Sequence, residues 1–257
     1  MATTNSTPAT ARRTAVISGG GTGIGAAIAS VLVGSGVDVL LLGRRSDRLE
    51  STAAELRKQS PEAVIHTAPT DLTDPVAVAG AADTARKLFG QVDIVVANAG
   101  APAAKAGADL SSLAQSWLAT FKANTLSAVL LVAAMESILT APGGRVIIIG
   151  SAAAARGNST PSYAASKGAL EAWVRTLGNA FGPRGITANV IAPGYTAGTE
   201  LVAGRISPER HEKLIATISL GRAASVEEIA AAVLFLASPD SSYVTGQTIS
   251  VDGGSRG

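Results

Sequence analysis

Short runs that are apolar at almost every position alternate along this chain with longer stretches in which apolar residues recur every three or four positions. The runs fall at 14–18, 38–42, 64–67, 93–97, 145–150, 187–191 and 248–251, and Val39-Leu40-Leu41-Leu42 and Val146-Ile147-Ile148-Ile149 carry no polar position at all. A strand alternating apolar with polar would have one wet face. These have none, so the pattern predicts a parallel sheet covered by helices on both sides. Helical periodicity marks about 23–35, 46–58, 74–89, 111–139, 162–181 and 225–237. Asp74-Pro75 and Thr160-Pro161 place proline in a first turn, and Ser225 is followed three residues on by Glu228, a capping box. No internal repeat or low-complexity linker breaks the alternation, so one α/β domain is expected over 12–257 after a loose tail at 1–11.

A chain of 257 residues is long for one domain and can bury a full core. A net charge of +2, with 16% charged residues, gives no footprint for nucleic acid and no polybasic patch for a membrane surface. Without cysteine, disulfides, thiol chemistry and cysteine metal sites are excluded together. Neither of the two histidines, His66 and His211, has another beside it, so no metal site is expected. The first ten residues lack the apolar core of a signal peptide, and the apolar runs are too short to cross a bilayer. The expected location is the cytoplasm.

The first strand runs straight into Ser18-Gly19-Gly20-Gly21-Thr22-Gly23-Ile24-Gly25 and then a helix. Glycines there let the backbone turn tightly and approach a pyrophosphate, whose charge lies against the free N–H groups of the helix start. Strand before and helix after make this a dinucleotide-binding signal. Ligands of open α/β sheets gather beyond the carboxyl ends of the strands. The residues at those ends are the glycine loop, Gly43-Arg44-Arg45, Asp71-Leu72, Asn98-Ala99-Gly100, Gly150-Ser151 and Pro193-Gly194. Taken singly each suits a turn, with Asn98 and Gly100 fitting left-handed positions and Asp71 a helix cap. Their concentration on one sheet edge favours a shared ligand.

Ser162-Tyr163-Ala164-Ala165-Ser166-Lys167 places a phenol and an ammonium four residues apart, on one helix face. A free tyrosine ionises near about pH 10, and a fixed positive charge moves it toward neutrality. Such a tyrosine can give a proton to a carbonyl oxygen or take one from an alcohol.

The glycine loop, Asn98-Ala99-Gly100, Tyr163 with Lys167, and Pro193-Gly194 stand in the order seen in the classical short-chain dehydrogenase/reductase family, which the chain resembles from about residue 14 to 254. The resemblance implies a Rossmann fold with a seven-stranded parallel sheet, a nicotinamide cofactor, and a catalytic set of Asn124, Ser151, Tyr163 and Lys167. Tyr163 would be the acid or base. Lys167 would lower its pKa and hydrogen bond the nicotinamide ribose, while Ser151 would polarise the substrate oxygen. Asn124 would hold a water joining Lys167 to solvent, a surface asparagine being the alternative. Ser151 stands one residue closer to Tyr163 than in many relatives, but Ser159 and Ser162 lie too near the helix start to occupy a strand end.

Cofactor choice turns on the end of the second strand, where NAD sites carry an acid that a 2′-phosphate would repel. This chain has Gly43, then Arg44 and Arg45, which favours NADP(H) over NAD(H) unless both arginines are merely solvated. Gly19, Gly21, Thr22, Gly23, Ile24 and Gly25 would hold the pyrophosphate. By resemblance, Asp71 and Leu72 contact adenine, Asn98, Ala99 and Gly100 line the cofactor, and Pro193, Gly194, Thr196 and Thr199 meet the nicotinamide amide.

The segment 195–220 is expected to cover the substrate. Tyr195, Leu201, Val202, Ile206, Leu214 and Ile218 offer an apolar lid, and Arg205, Arg210, His211 and Lys213 either an anion site or a wet helix face. The chain is similar to 3-oxoacyl carrier-protein reductases, but 139–144 lacks the basic residues that would greet an acidic carrier. A free ketone or aldehyde is the expected substrate. Trp117, Phe121, Leu130, Met135, Leu170, Trp173 and Leu177 give helices 111–139 and 162–181 more apolar surface than one sheet face covers. A homotetramer is expected, or a dimer. The competing readings are an NAD-linked secondary alcohol dehydrogenase and a relative that binds nucleotide without turnover.

Overall fold

A computed structural model describes residues 12–157, 160–199 and 207–255. The expected tail, the alternative serine Ser159, and Leu201, Val202, Arg205 and Ile206 of the expected lid lie outside them. Seven parallel strands form one sheet in the order β3-β2-β1-β4-β5-β6-β7. They are β1 (Arg13–Ser18), β2 (Val37–Gly43), β3 (Ile65–Pro69), β4 (Ile94–Ala97), β5 (Arg145–Ile149), β6 (Thr187–Pro193) and β7 (Thr248–Val251). The order reverses between β1 and β4, which opens a crevice at their carboxyl ends. This is the Rossmann arrangement.

The missing polar alternation has the cause read from the sequence. Val16, Leu40 and Leu42 point into one core with helices α3 (Pro75–Phe89), α5 (Ser127–Met135) and α7 (Pro161–Phe181). Their neighbours Ala15, Ile17, Val39 and Leu41 point into a second core with α1 (Gly23–Gly34), α2 (Ser46–Gln59) and α9 (Val226–Ala237). Each leucine or isoleucine so enclosed contributes about 1.5–3 kcal/mol relative to exposure.

The signalled helix starts are present. Asp74 accepts the Val76 N–H with Pro75 in the first turn, and Ser225 and Glu228 make the reciprocal capping box. The expected helix 111–139 is a continuous helical run, Leu110–Ile138, but not a uniform one. It comprises α4 (Leu110–Phe121), a π-helical turn (Lys122–Leu126), α5 and a final 3-10 turn. By length and hydropathy this run could cross a membrane, against the expectation that no apolar stretch was long enough. Ala128, Leu131, Val132 and Met135 are instead buried on the sheet. Two further short helices are α6 (Ala153–Arg156) and α8 (Pro208–Ala216).

Candidate active site

The carboxyl end of the sheet gathers the expected residues. The glycine loop is closed by contacts that only bare backbone permits. A Cβ on Gly25 would lie 2.1 Å from the Gly19 carbonyl oxygen, and Gly19 itself has φ +67°. Across the crevice Asn98 pins this loop. Its side-chain amide donates to the carbonyls of Ser18 (2.9 Å) and Gly19 (3.3 Å). Asn98 is therefore a brace for the loop, and the left-handed turn that was its alternative is not present, since neither it nor Gly100 has positive φ. Ser18, which sequence reasoning passed over, is the other half of the brace. Its buried hydroxyl receives the N–H groups of Asn98 (2.9 Å) and Ala99 (3.0 Å). A serine at the last position of an apolar strand was the available signal.

Thr22 stands before α1 but makes no capping hydrogen bond, and the first turn of α1 contains no acid. Its N–H groups and the positive end of the helix dipole are thus left to an anion. Thr199, buried after β6, lies opposite Gly23. Thr196 is buried too, and its hydroxyl bonds the Gly194 carbonyl. Pro193 and Gly194 tie β6 to its neighbours, the Pro193 carbonyl accepting the Ala152 N–H at 2.9 Å and Gly194 N donating to Val251. The bare crevice, the uncapped helix start and the opposed threonines fit a dinucleotide.

At the end of β2, Arg44 is exposed and acts on Asp71, helping to hold that carboxyl below its ordinary value. The larger cause is the Thr73 N–H and hydroxyl, both bonded to Asp71. Asp71 therefore closes a turn, and the capping duty belongs to Asp74. Leu72 is 5% exposed and packed in the core, so its side chain is spent on folding. Gly43 has extended backbone room: a Cβ there would meet Leu49 at 3.5 Å, an ordinary contact. Nothing steric demands glycine at that position.

The remaining four expected residues converge. Ser151, just past β5, lies near enough to the Tyr163 phenol to counter part of its pKa rise, so the shorter spacing does not separate them. The turn of α6 spans the interval, its Ala153 N–H donating to Ser151 Oγ at 3.2 Å. Lys167 is buried and its Nζ donates to the Ile149 carbonyl at 2.8 Å. Asn124 is 1% exposed, which excludes the surface alternative. Its Oδ1 accepts the Ala101 N–H and its Nδ2 donates to Thr120, both at 3.0 Å. The π turn places it there. Gly100 completes the group: a Cβ on it would lie 2.8 Å from Asn124 Oδ1 and 3.5 Å from Lys167 Nζ.

One expectation is corrected by the electrostatics. Burial holds the Tyr163 phenol above its ordinary value, outweighing the counterweight from the Ser151 hydroxyl. Lys167, paired with no carboxylate among the described residues, is itself lowered to about 8 by burial. The lysine therefore remains mostly cationic at neutrality, close to its own titration.

The chain is similar to known proteins along most of its length. Residues 19–256 match the family model described as enoyl-(acyl carrier protein) reductase. Short-chain reductase protein NovJ of Streptomyces niveus is 34% identical over 247 residues, covering 93% of this chain and 92% of that protein. The 3-oxoacyl-(acyl-carrier-protein) reductase FabG of Salmonella typhimurium is 32% identical over 242 residues, covering 93% and 96%. Among solved structures, a blue fluorescent protein from a metagenomic library in complex with NADPH superposes with a TM-score of 0.85 at 33% identity, covering 94% of this chain and 97% of that one. Fold and site together define an NAD(P)-dependent oxidoreductase acting on CH–OH and C=O groups. The chain belongs to the short-chain dehydrogenase/reductase family.

Proposed function

We propose that the protein reduces a ketone or aldehyde to the alcohol, reversibly, with NADP(H) preferred and Tyr163 as acid and base. The observation carrying this reading is the gathering of Ser151, Tyr163, buried Lys167 and buried Asn124 at the strand ends that flank the glycine loop. The nicotinamide cofactor supplies the hydride. Ser151 and Tyr163 share a substrate carbonyl oxygen between their hydroxyls, Ser151 donating a hydrogen bond while Tyr163 gives its proton as negative charge develops. Burial keeps the phenol protonated at neutral pH, so the proton to be given is in place. Lys167, four residues on along the same helix face, favours the phenolate left behind, and its bond to Ile149 keeps it in place. Asn124 holds the Ala101 backbone against the lysine end of the site.

NADP preference is supported by Gly43, whose missing side chain is not a steric requirement, and by the exposed Arg44 beside it. Relatives crystallised with NADPH and NADP agree with it. The substrate is proposed as a free small carbonyl compound. Assembly as a homotetramer, or a dimer, is supported by Leu110, Leu113, Trp117 and Leu118, which stand exposed along α4. The test is a panel of ketones, aldehydes and secondary alcohols assayed with NADPH and NADH, for the wild type and Gly43→Asp. Turnover of a carbonyl with NADPH favoured, and a swing of about tenfold or more toward NADH in the variant, is the expected result. No turnover of any member with either cofactor contradicts the reading.

A further inference from the structure

Helix α4 is buried the wrong way round for its composition. Leu110, Leu113, Trp117 and Leu118 stand exposed, while the two residues it buries are Ser116 and Thr120. A buried hydroxyl costs stability unless it is hydrogen-bonded, so both must have partners. Those partners lie in the loop that follows β4. Thr120 Oγ1 accepts the Ala104 N–H at 3.2 Å, and Ser116 Oγ donates to the Ala104 carbonyl at 2.6 Å. The pair thus grips both backbone groups of one loop residue. Thr120 Oγ1 places its own proton on the Ser116 carbonyl at 2.7 Å, which leaves its lone pairs for the loop.

Four residues on, Asn124 continues the row. Its Oδ1 accepts the Ala101 N–H and its Nδ2 donates to the Thr120 carbonyl, so the asparagine is joined both to the loop and to the threonine. Spacing by four puts Ser116, Thr120 and Asn124 on one helix face, where they meet the loop at Ala104 and Ala101. Gly100 is the residue before the second grip. The Cβ it lacks would lie 2.8 Å from Asn124 Oδ1 and 3.5 Å from Lys167 Nζ, so loop backbone forms one side of the lysine's enclosure and the Ile149 carbonyl another. Tyr163, one turn back on α7, is the titratable neighbour. What the loop, the π turn and β5 present to the ammonium is a glycine, an amide and a carbonyl.

We propose that Thr120 and Ser116 are positioning residues: they key the loop 101–104 to α4 and, through the bond between Ala101 and Asn124, keep Gly100 closed against Lys167. The kinetic consequence rests on the role proposed above for Lys167. A looser loop admits water to the ammonium and eases the desolvation that depresses it, so its titration moves up toward the ordinary lysine value. The experiment compares wild type with Thr120→Val, which keeps the shape and removes the hydroxyl, Thr120→Ser, which restores it, and the milder Ser116→Ala. Amide exchange at Ala101 and Ala104 is expected to quicken by about fivefold in the valine and alanine variants, the weight of one partly exposed hydrogen bond. The Lys167 titration, read by NMR of isotope-labelled lysine and as the limb of kcat/KM against pH, should rise from about 8 by about half a pH unit or more in both, and return in Thr120→Ser. Quicker exchange or a lower thermal midpoint with the titration still near 8 would make the row a mere prop and overturn the inference. So would unaltered exchange, or a Thr120→Ser that behaves like the valine. The NMR titration needs no turnover, so an enzyme inactive on every carbonyl would sink the proposed function and leave this inference to be decided by the titration alone.

Discussion

Lys167 is the residue whose titration reports most on the site. Its ammonium is buried against a backbone carbonyl, paired with no carboxylate among the described residues, which lowers it to about 8, while the Tyr163 phenol is raised by burial. Below about 8 the lysine is charged and favours the phenolate formed when Tyr163 gives up its proton; above it that help is lost. The kcat/KM for carbonyl reduction is therefore expected to fall as pH rises through about 8, and Lys167→Met should be slow with that limb gone. A wild-type kcat/KM unchanged through this window, or the same limb in Lys167→Met, contradicts the assignment. The lysine's depressed pKa also has a stability consequence. Between about 8 and 10.5 the unfolded chain binds more protons than the folded one, so this group makes stability rise with pH there. The pairing of Tyr163 with Lys167 was legible because helical spacing is a local property. Their pKa directions were not, because desolvation depends on what the rest of the chain packs around them.

Among the elements, α9 shows how the sheet supplies what a helix lacks. Its last turn has no basic residue, and guanidinium groups from two strand starts serve its carboxyl end. Arg13 Nη1 donates to the Ala237 carbonyl at 2.6 Å and Arg145 Nε to that of Ser238 at 3.4 Å. Arg145 also donates to Gly143 (3.0 Å) and Gly144 (3.1 Å), and burial together with neighbouring Arg13 lowers its pKa. Arg145→Met strips donors from buried carbonyls and is expected to cost about 2 kcal/mol, or about 5 °C in thermal midpoint. An equal or higher midpoint would show the charge to be a burden. Element by element, the long apolar strands and capped helices were readable from the chain. The π turn at Asn124 was not, since Lys122-Ala123-Asn124-Thr125-Leu126 satisfies ordinary helical periodicity and the extra residue per turn shows only when the buried amide finds Ala101. Helix α6 escaped because four residues are too few to show a period, and α8 was read only as a wet helix face within the expected lid.

At the scale of the whole molecule, a parallel sheet covered on both faces follows from alternation of apolar runs with helices, whereas the Rossmann arrangement of its strands was implied only by the family resemblance. Apolar surplus on the 110–138 run was also readable, but not its distribution. Met135 and Leu131 went to the core, whereas Trp117, stacked on Phe121, and Leu118 stayed on the surface. The proposed assembly uses that surface, so Leu118→Glu is expected to lower the mass seen by light scattering at micromolar concentration without unfolding the subunit. A wild type already monomeric, or a variant of unchanged mass, contradicts the use of α4.

All of the proposed chemistry passes through one hydroxyl. The most direct measurement is kcat/KM for NADPH-dependent carbonyl reduction by Tyr163→Phe, which keeps the ring and removes the proton donor. A fall of about a hundredfold or more, with nucleotide binding retained, is the predicted result. Activity equal to the wild type would contradict it.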